Sequence, residues 1–146
     1  MSFDLEALPE SVLEFLTVRH LATLTTLHSD GAPHVVPVGF TFEASTRLAR
    51  VITSGGSVKA CNVSRVGAVA ALCQVDGGRW LTLSAPISVL SDAEAVADAE
   101  QRYAQRYRVP KVNPARVVLM MQVEKILGRA PRDVLGRARG WLLICC

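Results

Sequence analysis

A mainly β fold with short helices, a six-stranded antiparallel split barrel, is what this sequence predicts. Three observations carry that expectation. Six segments are rich in β-branched and apolar residues, several alternating apolar with polar positions as half-buried strands do. Turn signals such as Ser29-Asp30-Gly31 and Asp76-Gly77-Gly78 separate them. Closing the strands into a barrel removes exposed edges, yet Pro33 and Pro37 delete ladder donors from the second strand. That strand is expected at an opening or a bulge, which makes the barrel a split one.

The elements follow in order. Pro9 to Val18 predicts a helix, with Pro near the first turn, Glu10 early, and Val12, Leu13, Phe15 and Leu16 at helical spacing. His20–Leu27, Pro33–Phe42 and Arg47–Thr53 make a three-stranded meander. Ser54-Gly55-Gly56-Ser57 leads into a short helix over Val58–Ser64. Ala68–Val75 is so continuously apolar that burial on both faces is expected. Arg79–Leu90 is a long strand expected to break at Pro86. Ser91-Asp92 caps a helix to Tyr107, with Glu94 early and arginines in its last turn. A loop with two prolines, Val109–Pro114, precedes the last strand, Arg116–Leu127.

Composition bounds the function. The chain has 146 residues, 50% apolar and 20% charged, which suits one globular domain and excludes disorder. Residues 1–128 carry 12 basic and 12 acidic side chains, so the net charge of +3 belongs to an Arg-rich tail, 129–146. A neutral body argues against a nucleic-acid-binding module. No apolar run approaches the ~20 residues of a membrane span. The acidic start MSFDLEALPE is unlike a secretory signal, so a cytoplasmic protein with no membrane association is expected. Cys61, Cys73 and Cys145-Cys146 form no C-x-x-C, and the three histidines give no metal-ligating spacing. No nucleophile–base arrangement and no carboxylate pair stands out. An enzyme built on this chain would need a cofactor to carry its chemistry.

Three features could bind one. In the Ser54–Lys59 turn, Gly55 and Gly56 could aim successive amides into one concavity, at the start of a helix. Lys59 in that first turn is unfavourable unless an anion joins it, with Ser57 and Asn62 as further donors; an exposed lysine tolerating a small cost accounts for it equally. In the second strand, His34, Val36, Val38, Phe40 and Phe42 share one face, and Val35, Pro37, Gly39 and Thr41 the other. That second face, with little bulk, suits a flat ring, while Gly39 could equally relieve curvature and His34 be an exposed strand end. Gly77-Gly78-Arg79-Trp80 sets a cation and an aromatic at a hairpin mouth, for stacking or for an interface. Arg102, Arg106 and Arg108 read most simply as helix-end charges.

The stretches HLATLTTL, DGAPHVVPVGFTF and ARVITSGGSVKACN, in this order, resemble the pyridoxamine-phosphate-oxidase-like split barrels that bind flavins or deazaflavins. AALCQVDGGRWLTL, AEQRYAQRY and NPARVV…EKILG narrow the resemblance to their F420-dependent biliverdin reductases. It covers roughly residues 9–128. It implies a homodimer with two shared sites, and hydride transfer from reduced F420 to the bridge carbon of biliverdin, a planar tetrapyrrole, giving bilirubin. It also implies that His34, Val35, Val36, Pro37, Val38 and Gly39 line the deazaflavin ring. Ile52, Thr53, Ser54, Ser57 and Lys59 would hold the ribityl chain and phosphate, with Asn62 in the K-x-x-N position. Gly78, Arg79, Trp80 and Leu81 would come from the second subunit or the rim. Arg79, Arg102, Arg106 and Arg108 are candidates for the substrate's two propionates. Pro37 replaces an alanine of these reductases, and the tail after Gly128 is unlike theirs. The alternatives are an FMN-binding oxidase or flavin carrier on the same fold, or a non-enzymatic anion-binding module.

Overall fold

The computed structural model describes residues 1–129. The expectations about the tail beyond Arg129, including Cys145-Cys146, lie outside the described residues. The elements are α1 (Glu10–Thr17), β1 (Ala22–Leu27), β2 (Pro33–Val38), β3 (Thr41–Glu43), β4 (Leu48–Ser54), α2 (Val58–Val63), β5 (Val69–Asp76), β6 (Arg79–Leu90), α3 (Ala93–Arg106), β7 (Arg116–Gln122) and β8 (Lys125–Arg129). All strand pairs are antiparallel, in the order β2-β1-β5-β6-β7-β4-β3, with β8 against β6. The first and last strands of that path, β2 and β3, are consecutive in sequence. The barrel is therefore split between them, at Gly39-Phe40, and β2 with its two prolines is an edge strand as the sequence required.

Eight strands replace the expected six because two long strands each divide. The second divides at Gly39-Phe40, where side chains of α3 take the backbone's hydrogen bonds. The last divides at Val123-Glu124, whose amides turn to Arg47 O and Ser84 O and carry the chain from β4 to β6. β6, by contrast, runs straight through Pro86. That residue sits where β6 leaves β5 and begins to pair with β7 at Ile87, so its missing N–H falls at the changeover.

The core fills with Phe15, Leu24, Phe40, Leu72, Leu81, Leu83, Leu119, Met121 and Ile126, all at most 2% exposed. α1 closes one end of the barrel with Val12, Phe15 and Leu16. Asp92 caps α3 by accepting from the Ala95 amide at 3.0 Å, and α3 packs on β4 and β7. β5 departs from expectation. It alternates, with Ala70, Leu72 and Gln74 inward and Val69 and Val75 outward, each of the latter more than half exposed. Register makes this outer face continuous: Thr25 opposes Val35 and Ala71, Thr23 opposes Pro37 and Cys73, and Val75 opposes Trp80.

Candidate cofactor site

Beside the split lies a cleft of about 320 Å³. One wall is Pro37, Val38 and Gly39, at the end of the edge strand. Ile52, Thr53 and Ser54 of β4 and Lys59 of α2 form the floor, and Tyr103 of α3 comes from above. A further wall is Arg108, Pro110, Lys111 and Asn113 of the loop after α3, with Arg116 of β7 beside Ser54. The structure thus brings together eight of the residues the sequence pointed to, Arg108 among them. It adds Tyr103, Pro110, Lys111, Asn113 and Arg116, which sequence reasoning missed. Their one signal was the two-proline loop between α3 and β7, whose direction no local pattern reveals.

The turn over Ser54–Ser57 works differently from expectation. An amide concavity needs alternating backbone handedness, and neither Gly55 nor Gly56 has positive φ. The Gly55 amide donates to Ala115 O at 2.8 Å and the Ser57 amide to Ser54 O, while Ser57 Oγ caps α2 by accepting from Ala60 N. Those groups are already spent. The turn is instead an anchor for the cationic loop: Asn113 Nδ2 donates to Ser54 Oγ at 2.8 Å, and Arg116 donates to Lys111 O at 2.7 Å. A Cβ on Gly55 would press on Ala115 O and Val117 at 3.3 Å, so glycine here permits the close approach.

The cleft is strongly cationic. Lys59, Arg108, Lys111 and Arg116 line it, and no carboxylate does. Among the described residues only Arg116 has an acidic partner, Glu100, with Nη1 at 3.3 Å from its carboxylate. That contact is misaligned for a hydrogen bond, which leaves Arg116 Nη1 buried and unmatched. Four like charges on one concave surface repel one another, and a polyanion offsets that cost. F420, with a phosphodiester and glutamate carboxylates beside a flat ring, fits a cleft that joins four cations to Pro37, Val38, Ile52 and Tyr103.

Other expected residues sit elsewhere. Asn62 is buried on the far side of α2, donating to Thr26 Oγ1 at 3.0 Å. His34 and Val36 turn toward the barrel interior, His34 with its ring 5.5 Å from that of His28, and Val35 points outward. Leu81 is a core residue. Arg79 pairs with Asp76 and lies over the Phe15 ring, and Trp80 lies on the outer face, so Gly78–Leu81 do not line this chain's own cleft. The alternation expected along the second strand holds through Phe40, which is buried with Val38 in the core while Val36 and Phe42 pack against it; Thr41, expected on the other face, is buried as well.

Of the four arginines considered for anionic substrate groups, Arg108 alone faces the cleft. Arg102 is held by Asp98 and Glu43. Arg106 is no solvated helix-end charge: it donates to Val18 O, Phe40 O and Gln74 Oε1 at 3.0, 2.6 and 2.7 Å. Burial lowers its pKa, partly opposed by the neighbouring Tyr107. Tyr107 Oη donates to His20 O at 2.6 Å and accepts from Phe40 N at 3.2 Å; burial raises its pKa, against the pull of Arg106. Gly39 has no room for a side chain, since a Cβ would lie 2.9 Å from the Tyr103 ring and 3.1 Å from the Tyr107 ring. Close approach of two tyrosines explains that glycine.

Comparison with known proteins agrees with this architecture. The chain is 58% identical over 131 residues to the F420H(2)-dependent biliverdin reductase of Mycobacterium tuberculosis, covering 90% of this chain and 93% of that protein. Among solved structures, an F420 reductase superposes with a TM-score of 0.67 at 19% identity, over 82% of this chain and 98% of that one. A conserved hypothetical protein of Mycobacterium tuberculosis reaches 0.70 at 18% identity, over 84% of each. At those identities the structures speak to fold alone. The sequence profile of the pyridoxamine 5'-phosphate oxidase family matches residues 8–130, nearly the whole described chain. With its split antiparallel barrel and near-complete alignment to a curated relative, the chain belongs to the pyridoxamine 5'-phosphate oxidase family.

Proposed function

We propose that this protein is an F420-dependent oxidoreductase that reduces biliverdin, or a similarly planar conjugated substrate, to bilirubin or its counterpart. The observation that carries this is the 58% identity, spread over 90% of the chain, to a reductase of that cofactor and substrate. The cationic cleft supports it independently of any relative. When bound, a 5-deazaflavin supplies two-electron hydride chemistry without the one-electron and oxygen chemistry of flavins. The chain's own part is binding and orientation. Lys59, Arg108, Lys111 and Arg116 hold the phosphodiester and the glutamate carboxylates. Pro37, Val38, Gly39, Ile52 and Tyr103 give the ring a flat, mostly apolar seat. Thr53 and Ser54 face the linker between ring and phosphate. Arg108 is also the arginine available to a propionate, and a pyrrole nitrogen of the product takes its proton from solvent in the open cleft.

The working unit in this proposal is a homodimer. The outer face of β2-β1-β5-β6 supports it: Val35, Val69 and Val75 are each more than half exposed there, with Leu27 at 42%. A contiguous uncharged face of that kind marks an interface. Pro37 lies at its rim, opposite Thr23, so a second copy seated on the face would border the cleft. Trp80, on the same face, could reach the neighbouring site with Gly78, Arg79 and Leu81 as its support. A cytoplasmic location is part of the same proposal; among the described residues Cys61 and Cys73 are not paired with each other, which a reducing compartment would favour. Among the described residues no helix is long and apolar enough to cross a membrane.

Fluorescence titration of the purified protein with F420, FMN and FAD tests the cofactor, and biliverdin absorbance on adding reduced F420 tests the reaction. F420 binding with loss of the biliverdin band is expected. Tight FMN binding with no affinity for F420 would overturn the proposal.

A further inference from the structure

The Gly39-Phe40 peptide divides the second strand, opens the barrel and ends the ring-facing wall of the cleft. Both polar groups of Phe40 are held by consecutive residues of another element. Its amide donates to Tyr107 Oη at 3.2 Å, and its carbonyl accepts from Arg106 Nη1 at 2.6 Å. The holders are themselves fixed. Tyr107 Oη donates to His20 O, and Arg106 reaches Val18 O and Gln74 Oε1. Gln74 is wholly buried and donates in turn to Phe15 O at 2.7 Å. Four parts of the fold (the end of α1, the start of β1, β5 and the end of α3) thus meet on one residue, Phe40.

Phe40 connects the two sets of lining residues. Gly39 precedes it in the ring-facing wall, against Tyr103 and Tyr107, and Arg108 follows its holders at the start of the cationic wall. The separation of the walls therefore passes through two hydrogen bonds and one ring contact. We propose that Arg106 and Tyr107 are positioning residues that set the width of the cleft, and so its affinity for the ring-bearing cofactor, by gripping Phe40. This deepens the F420 proposal and uses F420 as its probe.

The test compares Tyr107→Phe, which removes one hydroxyl, with Thr26→Val, which breaks the buried Asn62 bond away from the cleft. Thermal unfolding, amide exchange at Phe40 and F420 affinity are measured for each. Tyr107→Phe is expected to raise Kd for F420 about tenfold and to speed exchange at Phe40 about tenfold. Thr26→Val is expected to lower Tm while leaving Kd within about twofold. Arg106→Lys keeps the charge but cannot reach three acceptors, and should follow Tyr107→Phe if it folds. Faster Phe40 exchange with unchanged Kd would overturn the inference, as would an equal rise in Kd for Thr26→Val. If the wild-type protein binds FMN and not F420, the proposed function fails on its own. The same comparison with FMN then still decides the role of the clamp.

Discussion

Asn113 donates through Nδ2 to Ser54 Oγ at 2.8 Å, joining residues 59 positions apart. This bond, with Gly55 N to Ala115 O, draws the two-proline loop down onto the end of β4. Lys111 reaches the cleft only because the loop is fastened there. Asn113→Ala should weaken F420 binding by about 1 kcal/mol, roughly fivefold, with little change in Tm because the bond is exposed. Fluorescence titration beside a thermal melt separates the two effects.

Lys59 faces the cleft from the first turn of a helix too short to attract anions by itself. Its contribution is its own charge. Lys59→Ala should cost about 1.5–3 kcal/mol in F420 affinity if the ammonium meets the phosphodiester. The loss should shrink as salt rises in the titration buffer, because the cleft is open to solvent. An affinity equal to wild type would remove Lys59 from the site.

The Tyr107 phenol keeps its proton to higher pH in the folded protein than its ordinary value of 10.0, chiefly because it is buried. The folded state therefore binds that proton more tightly than the unfolded chain does. Its contribution to stability is complete below about pH 10 and is lost as pH rises through the raised folded value. Urea midpoints between about pH 9 and pH 11 should fall more steeply for wild type than for Tyr107→Phe. Parallel slopes would show that the phenol is not coupled to folding.

Val35 projects from the edge strand at 55% exposure, and Val75 from β5 at 54%. If a second copy covers this face, Val35→Asp or Val75→Asp buries an unpaired carboxylate at the interface and should yield a monomer. Sedimentation velocity reads the mass, and biliverdin turnover in the same sample should fall with it. A wild-type protein that sediments as a monomer would sink the shared-site arrangement.

Strand periods, turn residues and caps are local properties, and they were legible. α1, α2 and α3 fall within a residue or two of expectation, and Asp92 caps as read, whereas Ser57, read as an anion donor, caps α2. The prolines of the second strand correctly placed it at the opening. Pro37, Gly39, Thr53, Ser54 and Lys59 converge on the cleft because they stand at strand ends and turns beside the split. The amide concavity at Gly55-Gly56 failed because glycine permits left-handed backbone without requiring it.

By itself the sequence determined a mainly β split barrel and a body of zero net charge, and it left Lys59 open between an anion site and an exposed lysine. Only tertiary structure decided which arginines are free. Arg102 and Arg106 are neighbours of Arg108 in sequence and identical in chemistry, yet the first is held by acids and the second by carbonyl oxygens of three other segments. Hydrogen-bond partners that far apart along the chain leave no local pattern. The same holds for the division of the second strand, which depends on Arg106 and Tyr107 meeting Phe40 across 66 and 67 positions. Backbone preference sets where a strand can run, but a side chain from another element decides where its hydrogen bonds go.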